Sequence, residues 1–186
     1  IVMILAVLVV LYLLMIMPRL TNRRERKKFL NVYYAHRGLH DNETDAPENS
    51  MSAFRRAVEA GYGIELDVQV TKDKIPVVFH DFTLQRVCGQ EGKVCDYTYE
   101  ELQKFRLCKS SETIPLFEDV LKLVAGKVPL IVELKVEFTD LSVCKKADAL
   151  LRKYKGLYCM ESFNPLAVFW YCLLYTSPSP RDRSLS

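Results

Sequence analysis

The 186-residue chain lacks the cysteine and histidine spacings of a zinc site. Its six cysteines form no CxxC pair, and none of its three histidines stands at zinc-ligand spacing. Cys88, Cys95 and Cys108 lie in one segment, where a disulfide would form in a domain that faced outward. We expect reduced thiols instead, because the N-terminal sequence, described below, predicts a cytoplasmic folded part.

The chain also has little net charge, +3, and that charge is unevenly placed. The stretch from Arg19 to Lys28 holds six basic residues and one acidic residue, so the rest of the chain is close to neutral. A nucleic-acid-binding face needs positive charge clustered on the folded part. We therefore expect no nucleic-acid partner.

Residues 1–17 contain no charged side chain and are dominated by Leu, Val, Ile and Met. A run of about 17–25 such residues is what a bilayer-spanning helix requires. A secretory signal peptide is the alternative, but its basic residues would precede the apolar run, whereas here they follow it. We predict a transmembrane anchor over 1–17 and a basic juxtamembrane linker over 18–31. The positive-inside rule then predicts a single-pass protein of the cell membrane with a cytoplasmic catalytic domain.

Beyond the linker, short apolar runs alternate with helical patterns, which is typical of an α/β fold with a parallel sheet. Five runs are predicted as strands that lie parallel and adjacent: Val32–Ala35, Ile64–Val70, Val77–Phe79, Leu130–Leu134 and Leu157–Met160. The domain is predicted over 32–170, with an insertion at about 82–115 where the alternation is lost. Residues 171–186 are predicted to be a disordered or non-native tail, since 177–184 contain no apolar residue.

Acidic residues interrupt two of the predicted strands. In Ile64–Val70 the residues alternate faces, so Glu65 and Asp67 lie side by side opposite an apolar row. Glu133 repeats the pattern in the next long strand. Buried carboxylates need a cation or hydrogen-bond donors. Three carboxylates without cysteine form an oxygen-rich site, which suits Mg²⁺ or Ca²⁺ better than zinc.

Two of the histidines, His36 and His80, stand where an apolar run ends. Histidine is the side chain best suited to proton exchange near neutral pH. Arg37 can grip a phosphate with two hydrogen bonds, and Lys135 adds a second positive charge. A metal, two cations and two histidines at the carboxyl ends of strands suit hydrolysis of an anionic phosphoester.

Five ordered motifs carry a resemblance to a known family. They are Ala35-His36-Arg37-Gly38, Ala46-Pro47-Glu48-Asn49-Ser50, Ile64-Glu65-Leu66-Asp67-Val68, Val78-Phe79-His80-Asp81 and Val132-Glu133-Leu134-Lys135. Their order and spacing over about residues 33–165 resemble the glycerophosphodiester phosphodiesterase family. The resemblance implies a TIM-barrel-like (β/α)8 fold with a small insertion after the third strand. Such a barrel needs roughly 250 residues and eight strands, so we expect an incomplete barrel of about five strands, preceded by one transmembrane helix.

The resemblance also implies a role for each candidate residue. It implies metal ligation by Glu65, Asp67 and Glu133, acid and base roles for His36 and His80, and phosphate contacts from Arg37 and Lys135. The segment Glu161–Pro165 resembles the family's fifth-strand motif, which implies that Phe163 lines the substrate site.

The implied function is metal-dependent hydrolysis of glycerophosphodiesters to glycerol 3-phosphate and an alcohol. A first alternative is a lysophospholipase D or a sphingomyelinase D-like lipid phosphodiesterase on the same fold, with a longer hydrophobic substrate such as a lysophospholipid. A second alternative is a non-catalytic, membrane-anchored phosphate-binding module. The loss of a histidine or a metal carboxylate would indicate that module, and every one of these residues is present in the sequence.

Overall fold

The computed structural model describes residues 2–16 and 27–176. Its strands are β1 (Tyr34–His36), β2 (Gly63–Val70), β3 (Pro76–Val78), β4 (Leu130–Leu134) and β5 (Tyr158–Glu161). Its helices are α1 (Val2–Ile16), α2 (Met51–Glu59), α3 (Gln85–Cys88), α4 (Tyr99–Leu102), α5 (Phe117–Val124), α6 (Ser142–Leu151) and α7 (Pro165–Thr176). A short 3-10 helix covers Val94–Asp96.

The five strands form one sheet, in which β1, β2, β4 and β5 are parallel neighbours in that order. The prediction of five parallel strands is wrong for β3, which pairs antiparallel with the last residues of β2, 68–70. Residues 71–75, which join the two strands, are too few for a parallel connection, since that needs a dozen or more residues. β3 therefore folds back along the edge of β2 beyond the point where β1 ends.

The main hydrophobic core lies between one face of the sheet and helices α2, α5 and α6. All eight residues of β2 are buried, and alternate ones, Ile64, Leu66, Val68 and Val70, enter this core. Burial of such a side chain contributes about 1.5–3 kcal/mol each. The opposite face of β2 carries the polar residues, so the packed core fixes the position of Glu65 and Asp67 on that face.

The predicted insertion, 82–115, has a small core of its own. Its buried apolar side chains pack against Val77 and Phe79, at and just beyond β3, rather than against the main core. A capping box begins α4: the Thr98 hydroxyl accepts a hydrogen bond from the Glu101 N–H, and the Glu101 carboxylate accepts one from the Thr98 N–H. The segment is thus folded, and it lies beside the carboxyl end of β3.

Helix α7 runs through the predicted boundary between the domain and its tail at residue 170. Tyr171 is buried, and its hydroxyl donates a hydrogen bond to the carbonyl of Cys144 in α6 (3.0 Å). The helix continues to Thr176, and the disordered or non-native character of residues 171–186 stays a prediction. The remainder of the predicted tail, 177–186, lies outside the described residues.

The N-terminal helix α1 is apolar along its length and contacts α7. Its 15 residues give a length of about 22 Å, whereas the hydrocarbon core of a bilayer is about 30 Å thick. In the part of the chain that the structure describes, no helix is long and apolar enough to span a membrane. The predicted transmembrane anchor over 1–17, and with it the single-pass location, is therefore not supported. Most of the predicted linker of 18–31, namely residues 18–26, lies outside the described residues.

Candidate active site

The acidic face of β2 meets β4 near the carboxyl ends of the two strands. The parallel register sets Asp67 opposite Glu133, and Glu65 lies on the same face of β2 as Asp67. One carboxylate oxygen from each of these three residues lies within 4.8 Å of the others. The sheet thus brings the predicted metal ligands together, and their role as ligands stays a prediction.

The electrostatics of this cluster favour a cation. Burial, and then the neighbouring charge of Asp67, raise the pKa of Glu65 to about 7, against the opposing effect of a hydrogen bond from the Arg37 N–H. Asp67 Oδ1 is buried and accepts no hydrogen bond from the described residues, although the Lys135 ammonium lies 3.2 Å away. A divalent ion with a preference for oxygen ligands, Mg²⁺ or Ca²⁺, fits this donor set.

Two cationic side chains border the carboxylates. Lys135 follows β4, and its Nζ lies 2.7 Å from Glu133 Oε1. Arg37 follows β1 with a left-handed backbone (φ 57°), and its N–H donates a hydrogen bond to Glu65 Oε2 (3.1 Å). The Arg37 Nε lies 3.6 Å from Asp67 Oδ2. Both cations thus lie where the structure can offer positive charge to a phosphate beside the cluster.

His36 lies at the end of β1, paired in register with Glu65. Its side chain is 67% exposed, and its Nε2 lies 3.8 Å from Glu65 Oε2. Partial burial, and then the charge of Arg37, lower the pKa of His36 below its ordinary value. A neutral, accessible imidazole beside the carboxylates can accept a proton.

His80 follows β3, and the antiparallel turn of that strand brings it towards the acidic face of β2. The Gln69 amide on that face donates hydrogen bonds to the carbonyls of Phe79 (2.8 Å) and Asp81 (2.6 Å), which fixes the backbone around His80. The His80 Nδ1 lies 2.5 Å from Asp81 Oδ1. A carboxylate at Nδ1 favours the tautomer with its proton there and leaves Nε2 to exchange protons with a substrate.

Two open cavities of about 290 and 320 Å³ lie beside Lys135, and Phe82 lines both of them. The larger cavity also contains Glu133 and Phe163, whose side chain projects with 91% of its surface exposed. The smaller cavity extends towards Phe138, which is likewise exposed. The structure therefore places Phe163 at the rim of a cavity that reaches the carboxylate cluster at Glu133.

Four polar residues near the site received no individual role from the sequence. Asn49 Nδ2 donates to Asp67 Oδ2 (2.9 Å), and Glu48 accepts a hydrogen bond from Arg37 Nη1 (3.0 Å). Both belong to the motif of residues 46–50, so the motif itself was the available signal. Asp81 likewise belongs to a quoted motif, Val78–Asp81, whereas Arg86 lies outside every motif and only its contacts in the folded chain relate it to the site.

In chemical terms, the geometry combines three carboxylates that can hold a divalent ion, two cations and two imidazoles along one edge of the sheet. Such a site can bind a phosphate, neutralise its charge and move protons on both sides of it. These are the requirements for hydrolysing a phosphoester.

The chain belongs to the glycerophosphoryl diester phosphodiesterase family, whose family model matches residues 36–164. It is 42% identical over 111 residues to a glycerophosphodiester phosphodiesterase of Bacillus altitudinis, a match that covers 56% of this chain and 44% of the relative. It is 34% identical over 161 residues to the lysophospholipase D GDPD1 of Rattus norvegicus, covering 80% of this chain and 49% of the relative. The chain thus spans about half the length of these relatives.

Among solved structures, the fold is similar to that of a phosphodiesterase from Oleispira antarctica in complex with its product sn-glycerol-3-phosphate. The TM-score is 0.72 at 24% identity, and the match covers 85% of this chain and 71% of the other. At this identity the likeness concerns the fold alone. It confirms the predicted TIM-barrel-like α/β architecture with a parallel sheet.

Proposed function

We propose that the protein hydrolyses glycerophosphodiesters to glycerol 3-phosphate and an alcohol. The observation that carries the proposal is the meeting of Glu65, Asp67 and Glu133 within 4.8 Å, bordered by Lys135 and Arg37, in a member of this family. Three buried carboxylates are costly for a fold unless they bind a cation. A phosphodiester is an anionic substrate that such a cation and the two basic side chains can bind together.

The carboxylates of Glu65, Asp67 and Glu133 would hold the divalent ion, Mg²⁺ or Ca²⁺. When bound, the ion supplies positive charge that polarises the phosphate oxygens. Arg37 and Lys135 bind the same phosphate and neutralise part of its charge as the new bond to phosphorus forms.

His36 and His80 perform the proton transfers in this proposal. One imidazole removes the proton of the attacking hydroxyl, and the other protonates the oxygen of the departing alcohol. Asp81 orients the imidazole of His80, whereas that of His36 is accessible from solvent. The geometry is compatible with either assignment of acid and base.

A second candidate function is hydrolysis of lysophospholipids. Its support is the relative named lysophospholipase D, together with three exposed aromatic side chains beside the cavities, Phe82, Phe138 and Phe163. Aromatic surface at the cavity rim would bind an acyl chain. The same ion, cations and histidines would then act on a longer substrate.

The test compares glycerophosphocholine and lysophosphatidylcholine as substrates of the complete protein, with Mg²⁺ or Ca²⁺ and with a chelator. We expect release of choline from glycerophosphocholine that stops when the chelator is added and resumes with fresh metal. Choline released from lysophosphatidylcholine alone would favour the second candidate. Binding of glycerol 3-phosphate without turnover of either substrate would overturn both and leave a phosphate-binding module.

A further inference from the structure

Arg86 in α3 forms a paired set of hydrogen bonds with two carboxylates from different parts of the chain. Its Nη1 and Nη2 donate to the two oxygens of Glu48, at 2.8 and 2.6 Å. Its Nε and Nη2 donate to the two oxygens of Asp81, at 2.6 and 3.0 Å. A single guanidinium thus joins the loop after β1 to the loop after β3.

Each of these carboxylates also contacts a residue of the proposed active site. Glu48 Oε1 accepts a hydrogen bond from Arg37 Nη1 (3.0 Å), and Asp81 Oδ1 lies 2.5 Å from His80 Nδ1. The chain of contacts therefore runs from Arg37 through Glu48, Arg86 and Asp81 to His80. At one end is a phosphate-binding cation and at the other a proton-transferring imidazole.

The charges along this series of contacts alternate, so the loss of Arg86 at its centre would affect the residues on both sides. Glu48 is 4% exposed, and its remaining partners are Arg37 and the amide of Asn42. Without Arg86, the Glu48 carboxylate would attract Arg37 more strongly. The Asp81 carboxylate would attract His80 more strongly in the same way. The planar fork of arginine is suited to bind two carboxylates at once, whereas a lysine ammonium acts as a point charge.

We propose that Arg86 is a positioning residue that sets the orientation of Arg37 through Glu48 and that of His80 through Asp81. This inference rests on the proposed function, because it assigns to Arg86 a task in phosphate binding and proton transfer. Arg86 itself contacts neither the carboxylate cluster nor the proposed phosphate position. From its place in the insertion, Arg86 orients the phosphate-binding Arg37 and the proton-transferring His80.

The two arms of the chain predict different kinetic effects. Asp81→Asn weakens the orientation of His80 and lowers kcat, while KM changes little. Glu48→Gln weakens the hold on Arg37 and mainly raises KM. Arg86→Met affects both, and we expect a loss of about 10- to 100-fold in kcat/KM, the usual cost of removing a residue that orients site ligands. Arg86→Lys should recover only part of this loss.

The experiment measures kcat and KM of the complete protein on glycerophosphocholine at saturating metal. The matched control is Arg106→Met, because Arg106 lies in the same insertion and bonds a surface carbonyl, that of Ser111 (2.8 Å). We expect the control to keep wild-type kinetics. Metal affinity, measured by calorimetry, should change little in Arg86→Met, since Arg86 bonds none of the three proposed metal ligands.

A double variant gives the sharper readout. If Arg86 acts through Asp81, then Arg86→Met combined with Asp81→Asn loses no more kcat than the larger single loss. Additive losses would overturn the inference, and so would a folded Arg86→Met protein with wild-type kinetics. Should Arg86→Met fail to fold, the two single variants decide instead: Asp81→Asn should lower kcat, and Glu48→Gln should raise KM. The same change in both variants would overturn the inference. A wild-type protein without turnover would refute the proposed function, which is a separate result.

Discussion

At the scale of single residues, the candidate site combines buried carboxylates with more accessible imidazoles. Asp67 is fully buried and touches Asn49, Lys135 and Arg37, whereas the His36 side chain is mostly exposed. The acids are held by the sheet, and the histidines project from strand ends. Substitutions in the two groups should therefore fail in different ways.

Replacing His36 by Ala should lower kcat by about 10²–10⁴-fold, the worth of a positioned acid or base. Metal affinity should change little, because the imidazole is not among the proposed ligands. Glu65→Gln should instead weaken metal binding, and added metal should partly restore its rate. Kinetics at several metal concentrations, with calorimetric metal titration, separate the two, and His40→Ala is the control. A His36 variant that lost metal binding but kept its rate at saturating metal would reverse these roles.

Gly38, which follows Arg37, packs tightly against α2. A Cβ at this position would lie 2.9 Å from the Cβ of Ala53 and 3.0 Å from Phe54 Cδ1, on a backbone with φ +82°. We expect Gly38→Ala to lower the free energy of unfolding by about 2–4 kcal/mol, from overpacking and from the left-handed backbone together.

Gly61 provides the comparison for that variant. It has a similar φ, +73°, but no heavy atom lies within 4 Å of an added Cβ. Gly61→Ala should therefore show the backbone cost alone, about 1–2 kcal/mol. Urea denaturation measures both variants. Equal losses would mean that the contact between Gly38 and α2 is looser than the structure shows.

The sequence predicts single residues well where strand alternation applies. Glu65, Asp67 and Glu133 stand out because they break apolar rows, and the parallel register then brings them together. The contact between Glu48 and Arg86 has no such periodic signal, because the two residues are 38 apart in the chain. Their contacts depend on the path of two loops, which no periodicity determines.

At the scale of elements, β3 is the clearest departure from the sequence pattern. Its apolar residues are compatible with either strand direction, and the direction follows from the length of the connection, 71–75. The reversal matters for the site because it sends His80 and Asp81 towards α3. In that position Asp81 reaches Arg86, which also holds Glu48.

This link between elements predicts an acid-dependent loss of stability. Burial alone would raise the pKa of Glu48, but hydrogen bonds from Arg86 and Asn42 and the charges of Arg86 and Arg37 lower it to about 2. Since the folded pKa lies below the ordinary value of 4.5, the stabilisation is complete above pH 4.5 and is lost as the pH falls towards 2.

Urea denaturation between pH 2 and 6 provides the measurement. The stability of the wild type should fall more steeply below pH 4.5 than that of Glu48→Gln, and the two slopes should agree above that value. Asp140, a surface carboxylate paired with Lys74, also has a lowered pKa, so Asp140→Asn serves as the control on exposed pairs. Parallel curves for wild type and Glu48→Gln would show that Glu48 titrates normally.

At the scale of the whole molecule, the cysteines report on how the chain is packed. Cys144 is buried in the main core, and burial raises its pKa to about 11, whereas Cys95 is exposed. A maleimide at neutral pH should therefore modify Cys95 rapidly and Cys144 only on unfolding. Mass spectrometry of peptides over time gives the order, and Cys95→Ser removes the fast phase. Rapid modification of Cys144 in the folded protein would contradict the packing of α6.

The division of the molecule into two hydrophobic cores has a consequence for how the sequence of such a protein can evolve. Substitutions in separate clusters affect stability almost independently, because packing effects are local. Residues 82–115 pack on the smaller core, so they can vary without disturbing the main core under the carboxylate cluster. Phe82, which lines both cavities, lies in that segment. Duplicated genes could therefore acquire new substrate preferences through the insertion while inheriting the same carboxylate cluster.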